Sequence, residues 1–259
     1  MMMNFNYPSV RLTLGYDLDK WHGYGVKIPV VTDLSPSTNS HILICGMSGS
    51  GKTYAQQVFI AKMVLARPEG EFYFSDYKGE DSFEYLRGLP RYRSFKRTLE
   101  LLDIVYDRLN ARLSGEDKSR HPITFVWDEY MANLLALQGA DKEKKTTDRQ
   151  APVAMNKVSE ILLMGRSMSV RLVTSMQRPD AIAFPAGSRL NYGVIVILGA
   201  AIRSIYEMLM PDHMDQIKGR QFERGEGVAL LQGSELHFIK VPAVRDQERM
   251  RSICVKALS

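Results

Sequence analysis

The sequence predicts an α/β fold, a mostly parallel central sheet flanked by helices with a β-hairpin at each end. Short apolar runs bounded by turn residues alternate with segments of helical spacing from residue 41 to residue 210. That alternation is the pattern of parallel strands joined by crossover helices. A glycine-rich phrase ending in lysine and threonine occupies the first strand-to-helix junction of the series.

Taken in order, Val10–Tyr16 alternates apolar and polar residues and reads as a strand. Asp17–Tyr24, with Gly23 inside it and Gly25 just after it, reads as a turn, and Val26–Val31 as a second short strand, so the chain enters through a hairpin. Ser35–Ser40 is a loop. His41–Cys45 is a buried strand, Gly46–Gly51 a tight loop, and Lys52–Ala66 a helix that stops before Pro68, Glu69 and Gly70. Strands follow at Glu71–Ser75, Ile123–Trp127, Val170–Ser175 and Gly193–Leu198; helices are expected at Leu99–Leu113, Val153–Met168 and Ile202–Met210. Gln138–Gln150 is a polar loop whose lysine-rich patch, Lys142–Lys145, reads as solvated surface, with a DNA-facing loop as the alternative. Gly227–Val244 resembles a closing hairpin.

Bulk properties narrow the class. With 259 residues, 45% of them apolar, the chain sustains one large domain. Cys45 and Cys254 are the only cysteines; they are far apart and lack metal-ligand spacing, which fits idle thiols in a reducing cytosol. The N-terminus lacks the basic and apolar regions of a signal peptide. The longest apolar run, Tyr192–Ile202, falls short of the roughly 18 to 20 residues that span a bilayer. A cytoplasmic protein without membrane insertion of its own is therefore expected. A net charge of +5 and a pI near 9.1 permit a polyanionic partner without demanding one.

The phosphate-binding phrase is Gly46, Met47, Ser48, Gly49, Ser50, Gly51, Lys52 and Thr53, a full match to GxxxxGK[ST] between a strand and a helix. Its glycines let the backbone curl so that N–H groups point at phosphate oxygens, and the following helix adds its positive end. Lys52 is expected to reach the β- and γ-phosphates of ATP and Thr53 to ligate Mg²⁺; Tyr54 follows as a further nucleotide contact. The second half of such a site is an acid at a neighbouring strand end. Asp128 supplies it for Mg²⁺, and Glu129 beside it is placed to activate a water, which favours hydrolysis over phosphate transfer. Gln177, at the tip of the next strand, is an amide able to touch both γ-phosphate and water.

These residues, in this order, resemble the FtsK/SpoIIIE–HerA family of DNA-pumping ATPases. The phrases that carry the resemblance are HILICGMSGSGKT, FYFSDYKGEDSFEYL with Asp76 and Lys78, ITFVWDEYMANLL, LLMGRSMSVRLVTSMQRPDA and RGEGVALLQGSELHFIKVPAV. The resemblance runs from about residue 8 to about residue 245. It implies a RecA-like P-loop NTPase that assembles as a hexameric ring around double-stranded DNA, gripping it without sequence specificity. ATP sites in such rings lie between subunits, and Arg166 best matches the arginine that a neighbour contributes; Arg178, Arg189 and Arg203 match less well. A helix-end arginine favoured by the macrodipole is the alternative for Arg166. Division-type members of the family also carry membrane helices and a DNA-reading winged helix. Neither is read in this sequence, so the expectation is a nearly bare motor for mobile-element DNA, with membrane or DNA-processing proteins as partners. The expected division is an N-terminal hairpin over 1–40, the ATPase domain over 41–245 and a short tail over 246–259. The competing readings are an ATP-binding regulatory switch that recruits such partners and, against Glu129 and Gln177, a P-loop kinase.

Overall fold

A helix replaces the first expected turn, and two residues explain it. The computed structural model describes residues 11–35 and 41–259; the start of the expected first strand at Val10 and most of the Ser35–Ser40 loop lie outside them. Strand β1 (Arg11–Asp17) ends at an aspartate whose carboxylate accepts the Lys20 N–H at 2.8 Å, and Gly25 closes the other end at φ 66°. An N-cap and a left-handed glycine cap are enough to wind Leu18–Tyr24 into helix α1. Strand β2 then covers Pro29–Asp33, later than the expected Val26–Val31, because the chain leaves the Gly25 cap before it can pair with β1.

The alternating core follows: β3 (His41–Gly46), α2 (Lys52–Ala66), β4 (Glu71–Asp76), β5 (Tyr92–Ser94), α3 (Thr98–Ser114), β6 (Ile123–Asp128), α4 (Tyr130–Asp141), α5 (Gln150–Met164), β7 (Val170–Met176), β8 (Tyr192–Leu198), α6 (Arg203–Leu209) and α7 (Met214–Ile217). The chain closes with β9 (Glu226–Leu231), β10 (Glu235–Lys240) and α8 (Gln247–Leu258). All strands join one ten-stranded sheet in the order β2-β1-β10-β9-β8-β3-β7-β6-β4-β5. From β8 to β5 every pair is parallel, and from β8 through β9, β10 and β1 to β2 every pair is antiparallel. Both expected hairpins are thus continuous with the core sheet.

Three further expectations change. The polar loop over 138–150 is shorter, because α4 runs on to Asp141 and α5 starts at Gln150; the Asp141 carboxylate accepts the Ala151 N–H at 2.6 Å, capping the incoming helix. Helix α5 ends at Met164, ahead of the expected Met168, and a tight turn over Gly165–Met168 completes the segment. The expected tail, 246–259, is mostly helix α8, capped by Asp246 at the Arg249 N–H. Its Met250, Cys254, Ala257 and Leu258 are buried against α2 and its surroundings.

The sheet separates two apolar layers. In β3, Ile42 and Ile44 face the layer of α2 and α8, while Leu43 and Cys45 face the layer of α3, α4 and α5, as period-two alternation requires. Helix α2 is buried almost all round because the sheet covers one side and α8 another. Both cysteines are free thiols in the interior. Among the described residues no helix is long and apolar enough to cross a membrane.

Candidate functional site: a nucleotide cleft at the strand ends

Parallel strands place their carboxyl ends along one edge, where open α/β sheets hold ligands. The expected residues gather there. Gly46 ends β3, Asp128 ends β6, Asp76 ends β4, and Gln177 follows β7 directly. Asp76 and Asp128 are register partners, so their carboxyls are neighbours by construction.

The loop 46–53 has the shape of a phosphate cradle. Gly49 and Gly51 sit at φ 82° and 92°, where a side chain is strained. A Cβ on Gly46 would lie 2.4 Å from the Ser50 Oγ, so the loop closes only around glycine. Helix α2 starts at Lys52 with no acidic residue in its first turn and its N-terminal amides aimed at the cleft.

Charge converges beneath the loop. The Lys52 ammonium, 5% exposed, lies 2.5 Å from Glu129 Oε1 and 3.6 Å from Asp128 Oδ1. Burial pulls the Lys52 pKa down, but the two carboxylates outweigh it, and the net shift is upward. Asp128 is fully buried; burial raises its pKa to about 6, against the opposing pull of Lys52 and of the Ser175 hydroxyl, which donates to Oδ1. Its other oxygen, Oδ2, has no hydrogen-bond partner among the described residues. Glu129 stands in the left-handed region at φ 54°, ψ 41°, and its N–H reaches the Ser175 Oγ at 3.3 Å. A non-glycine residue held there at a sharp strand-to-helix turn marks a site where the backbone serves the side chain's position.

Sequence reasoning named Asp76 and Lys78 only through family resemblance and did not name Glu80; the structure gives all three a place. The Asp76 carboxylate accepts the Gly79 N–H at 2.8 Å, the Glu80 N–H at 2.9 Å and the Tyr92 hydroxyl at 2.8 Å, folding residues 77–80 back over the cleft. Lys78 thereby reaches Glu129 Oε1 at 3.4 Å, and Glu80 accepts the Thr53 hydroxyl at 3.2 Å. The signal for Glu80 was its spacing behind a strand-end aspartate, which gains meaning only with that fold-back.

The cleft, about 300 Å³, is lined by Met47, Ser48, Gly49, Gly51, Lys52 and Thr53 of the loop and by Tyr54, Glu80 and Gln177. Arg224 and, from α8, Gln247, Met250 and Arg251 complete the wall. Tyr54 also tethers the C-terminal segment, since its hydroxyl accepts the Val244 N–H. Arg166 is not brought to this cleft within the chain. It is exposed in the turn after α5, close enough to His41 to act on its charge, and His41 opens β3 at the end opposite Gly46. Arg178 and Arg203 are exposed and Arg189 is half-buried; none of the three lines the cleft.

The residues fit the groups the sequence implies. Glu80, Asp128 and Glu129 each offer an oxygen within 4.8 Å of the others, next to the Thr53 hydroxyl and the orphaned Asp128 Oδ2. An all-oxygen donor set of this kind suits Mg²⁺, and the glycine cradle suits a triphosphate.

Fold and site together define a RecA-like P-loop nucleotide-binding fold. Residues 21–120 match the FtsK/SpoIIIE family model. The chain is 25% identical over 230 residues to the FtsK domain-containing protein YdcQ of Bacillus subtilis (strain 168), an alignment that covers 82% of this chain and 45% of YdcQ. The chain thus spans less than half of that curated relative. Among solved structures, the pCW3 conjugation coupling protein TcpA, in its monomer form with ATPγS, superposes with a TM-score of 0.71 at 17% identity over 98% of this chain and 72% of that one. The cytoplasmic domain of the Thermomonospora curvata type VII secretion ATPase EccC gives 0.68 at 20% identity over 97% of this chain and 31% of that one. The genome packaging NTPase B204 of Sulfolobus turreted icosahedral virus 2, with AMPPCP, gives 0.51 at 14% identity over 81% of this chain and 100% of that one. At these identities the three structures establish the shared fold.

Proposed function

We propose that the chain hydrolyses ATP and uses the energy to move double-stranded DNA as a ring-shaped oligomer, in the transfer, packaging or maintenance of mobile-element DNA. The observation that carries the hydrolytic part is Glu129, a buried carboxylate 2.5 Å from the phosphate-loop lysine and next to Asp128. The amides of 46–53 and Lys52 would hold the triphosphate. Thr53 and Asp128 would hold Mg²⁺, which supplies positive charge at the phosphate oxygens. Glu129 orients a water in line with the γ-phosphorus and takes its proton as the new P–O bond forms and the bond to the ADP oxygen breaks. Gln177, at the lip of the same cleft, aligns that water from the other side. Lys52 is ion-paired to Glu129, and a triphosphate that draws Lys52 to its own oxygens releases Glu129 for this work. Nucleotide entry and activation of the base are then one event.

The DNA part rests on the match of residues 21–120 to the FtsK/SpoIIIE family model and on the named roles of TcpA in conjugation and of B204 in genome packaging. Non-specific phosphate contacts suit a motor that must grip and release every base pair alike. In a hexameric ring Arg166, remote from its own cleft, would serve a neighbouring subunit's site, and the chain would work in the cytoplasm with membrane or DNA-processing partners. A second reading is favoured by the likeness to the secretion ATPase EccC: a coupling ATPase that engages a partner polypeptide instead of DNA.

The test is ATP turnover with and without linear duplex DNA, for the wild type and for Glu129→Gln. We expect duplex DNA to raise turnover several-fold and the substitution to lower it by about 100-fold or more, the scale of losing a positioned general base. Turnover indifferent to DNA would overturn the DNA reading and leave the coupling one. Turnover unaffected by Glu129→Gln would overturn the hydrolytic assignment.

A further inference from the structure

Two arginines line the nucleotide cleft from outside the phosphate-binding loop, and both stand on rigid supports. Arg224 lies just before β9 and Arg251 on α8. The segment carrying Arg224 is docked on the loop itself: the Gly225 N–H donates to the Ser50 carbonyl at 2.8 Å, and a Cβ on Gly51 would stand 3.7 Å from the Arg224 Cγ. Behind it, the Glu226 side chain is 2% exposed and anchored by Lys240 Nζ at 2.8 Å, by His22 Nε2 at 2.9 Å and by the Glu223 N–H at 3.1 Å. The Glu226 carbonyl accepts the Gly199 N–H at 2.7 Å. On the other support, the Arg251 guanidinium sits over the Tyr85 ring at 5.4 Å from its centroid, and the Tyr85 hydroxyl donates to Gln57 Oε1 at 3.2 Å. The buried apolar side of α8 fixes Arg251 against α2.

Charge separates these arginines from the loop lysine. Lys52 is already paired with Glu129 and Asp128. Among the described residues neither Arg224 nor Arg251 has a carboxylate partner. A polyphosphate entering the cleft therefore meets Arg224 and Arg251 as its unneutralised cations, and a guanidinium matches phosphate oxygens with two parallel N–H bonds. We infer that Arg224 and Arg251 bind the polyphosphate of the nucleotide from the same chain as the phosphate loop, an inference that rests on reading this cleft as an ATP site. The C-terminal hairpin and helix are then part of the nucleotide site, and an arginine from a neighbouring subunit adds to a grip already formed in cis.

Isothermal titration of the full chain with ATPγS and with AMP, in Mg²⁺, tests this. Arg224→Ala and Arg251→Ala are each expected to weaken ATPγS by about tenfold or more, the scale of losing a charged hydrogen-bonding group, and to leave AMP nearly unchanged; lysine at either position should restore part of the loss. Both side chains are exposed, so Tm should hold. Should an alanine variant lower it, the glutamine variant at the same position gives the reading. Wild-type ATPγS affinity in both arginine variants, with binding lost in Lys52→Ala, would overturn the inference. Equal losses for AMP and ATPγS would overturn it too. Recovery of ATPγS binding on mixing Arg224→Ala with Lys52→Ala subunits would overturn the cis assignment. Wild-type affinity in Lys52→Ala would instead defeat the ATP-site reading itself.

Discussion

In the parallel half of the sheet, from β8 to β5, the strands β3 and β6 are buried at every position and all strands point one way. In the antiparallel half, β10 and β1 are only partly buried, and the strands alternate in direction. The consequence is chemical. Parallel strands deliver Gly46, Asp76, Asp128 and Gln177 to one edge with no further device, whereas antiparallel strands scatter their ends over two edges. The antiparallel half reaches the nucleotide by another route: β9 begins and β10 ends at the cleft edge, where the Val241 N–H meets the Gly225 carbonyl at 2.8 Å. The parallel half makes the site, and the antiparallel half brings a second wall to it.

The seam between the halves is where this comparison breaks most severely. Gly227 on β9 lies so close to β8 that a Cβ would fall 1.9 Å from the Ile197 carbonyl oxygen. Backbone cannot yield as a flexible side chain does. Gly227→Ala is expected to cost about 3 kcal/mol or more by overpacking, read as a lowered urea midpoint. Because the seam also seats the Arg224 segment, ATPγS affinity should fall with it. A loss below about 1 kcal/mol, within the ordinary range for point substitutions, would mean that the halves slide on each other and are not locked.

The contrast also explains what the sequence made legible. Strands such as ITFVW and YGVIVIL are continuous apolar runs, the signature of burial on both faces, and they stood out at once. Asp128, Glu129 and Gln177 were readable because a strand end fixes where its next residue points. Helix α8 was passed over as a tail although Met250, Ile253, Cys254, Ala257 and Leu258 recur at helical spacing. The stronger signal was in α2, whose apolar residues occupy nearly every side, a pattern that calls for a cover on the face away from the sheet. Helix α1 hid behind its two glycines, one of which is the cap that ends it. The fold-back of 77–80 onto Glu129 was not legible from local sequence, since the Asp76 hydrogen bonds that hold it include one from Tyr92 on a neighbouring strand. The clustering of Arg224 and Arg251 at one cleft depends on packing between segments distant in sequence.

Within the parallel half, pH provides a sharper test at the end away from the nucleotide. His41 is wholly buried at the start of β3; its Nδ1 accepts the Leu172 N–H at 3.0 Å and its Nε2 has no partner among the described residues. Burial, reinforced by Arg171 and Arg166, lowers its pKa from 6.5 to about 3. The unfolded chain thus binds the proton first. Stability from this residue is complete above about pH 6.5 and falls as pH drops toward 3, with about 2 kcal/mol lost by pH 5. His41→Gln retains an acceptor but does not titrate. Urea unfolding at pH 7.5 and pH 5 should show a pH dependence flatter by about that amount in the variant, and parallel profiles for the two proteins would show that His41 takes up its proton without opening the strand.

The smallest effect belongs to the antiparallel half and its surface. Arg220 holds Asp19 of α1 through two hydrogen bonds, at 2.6 and 3.0 Å, while its guanidinium lies 3.7 Å from the centroid of the Phe238 ring on β10. The Asp19 side chain is 57% exposed, so water and salt screen the ion pair, and Asp19→Asn should cost only about 0.5 kcal/mol. The stacking on Phe238 does not depend on that carboxylate, so Arg220→Ala should cost more than Asp19→Asn. Unfolding in low and high salt separates the two contributions. The loss in Asp19→Asn should shrink in high salt, whereas the excess loss in Arg220→Ala should persist. Equal losses in the two variants would mean that the ion pair and not the ring holds this arginine, and that α1 is tied to the hairpin by charge alone.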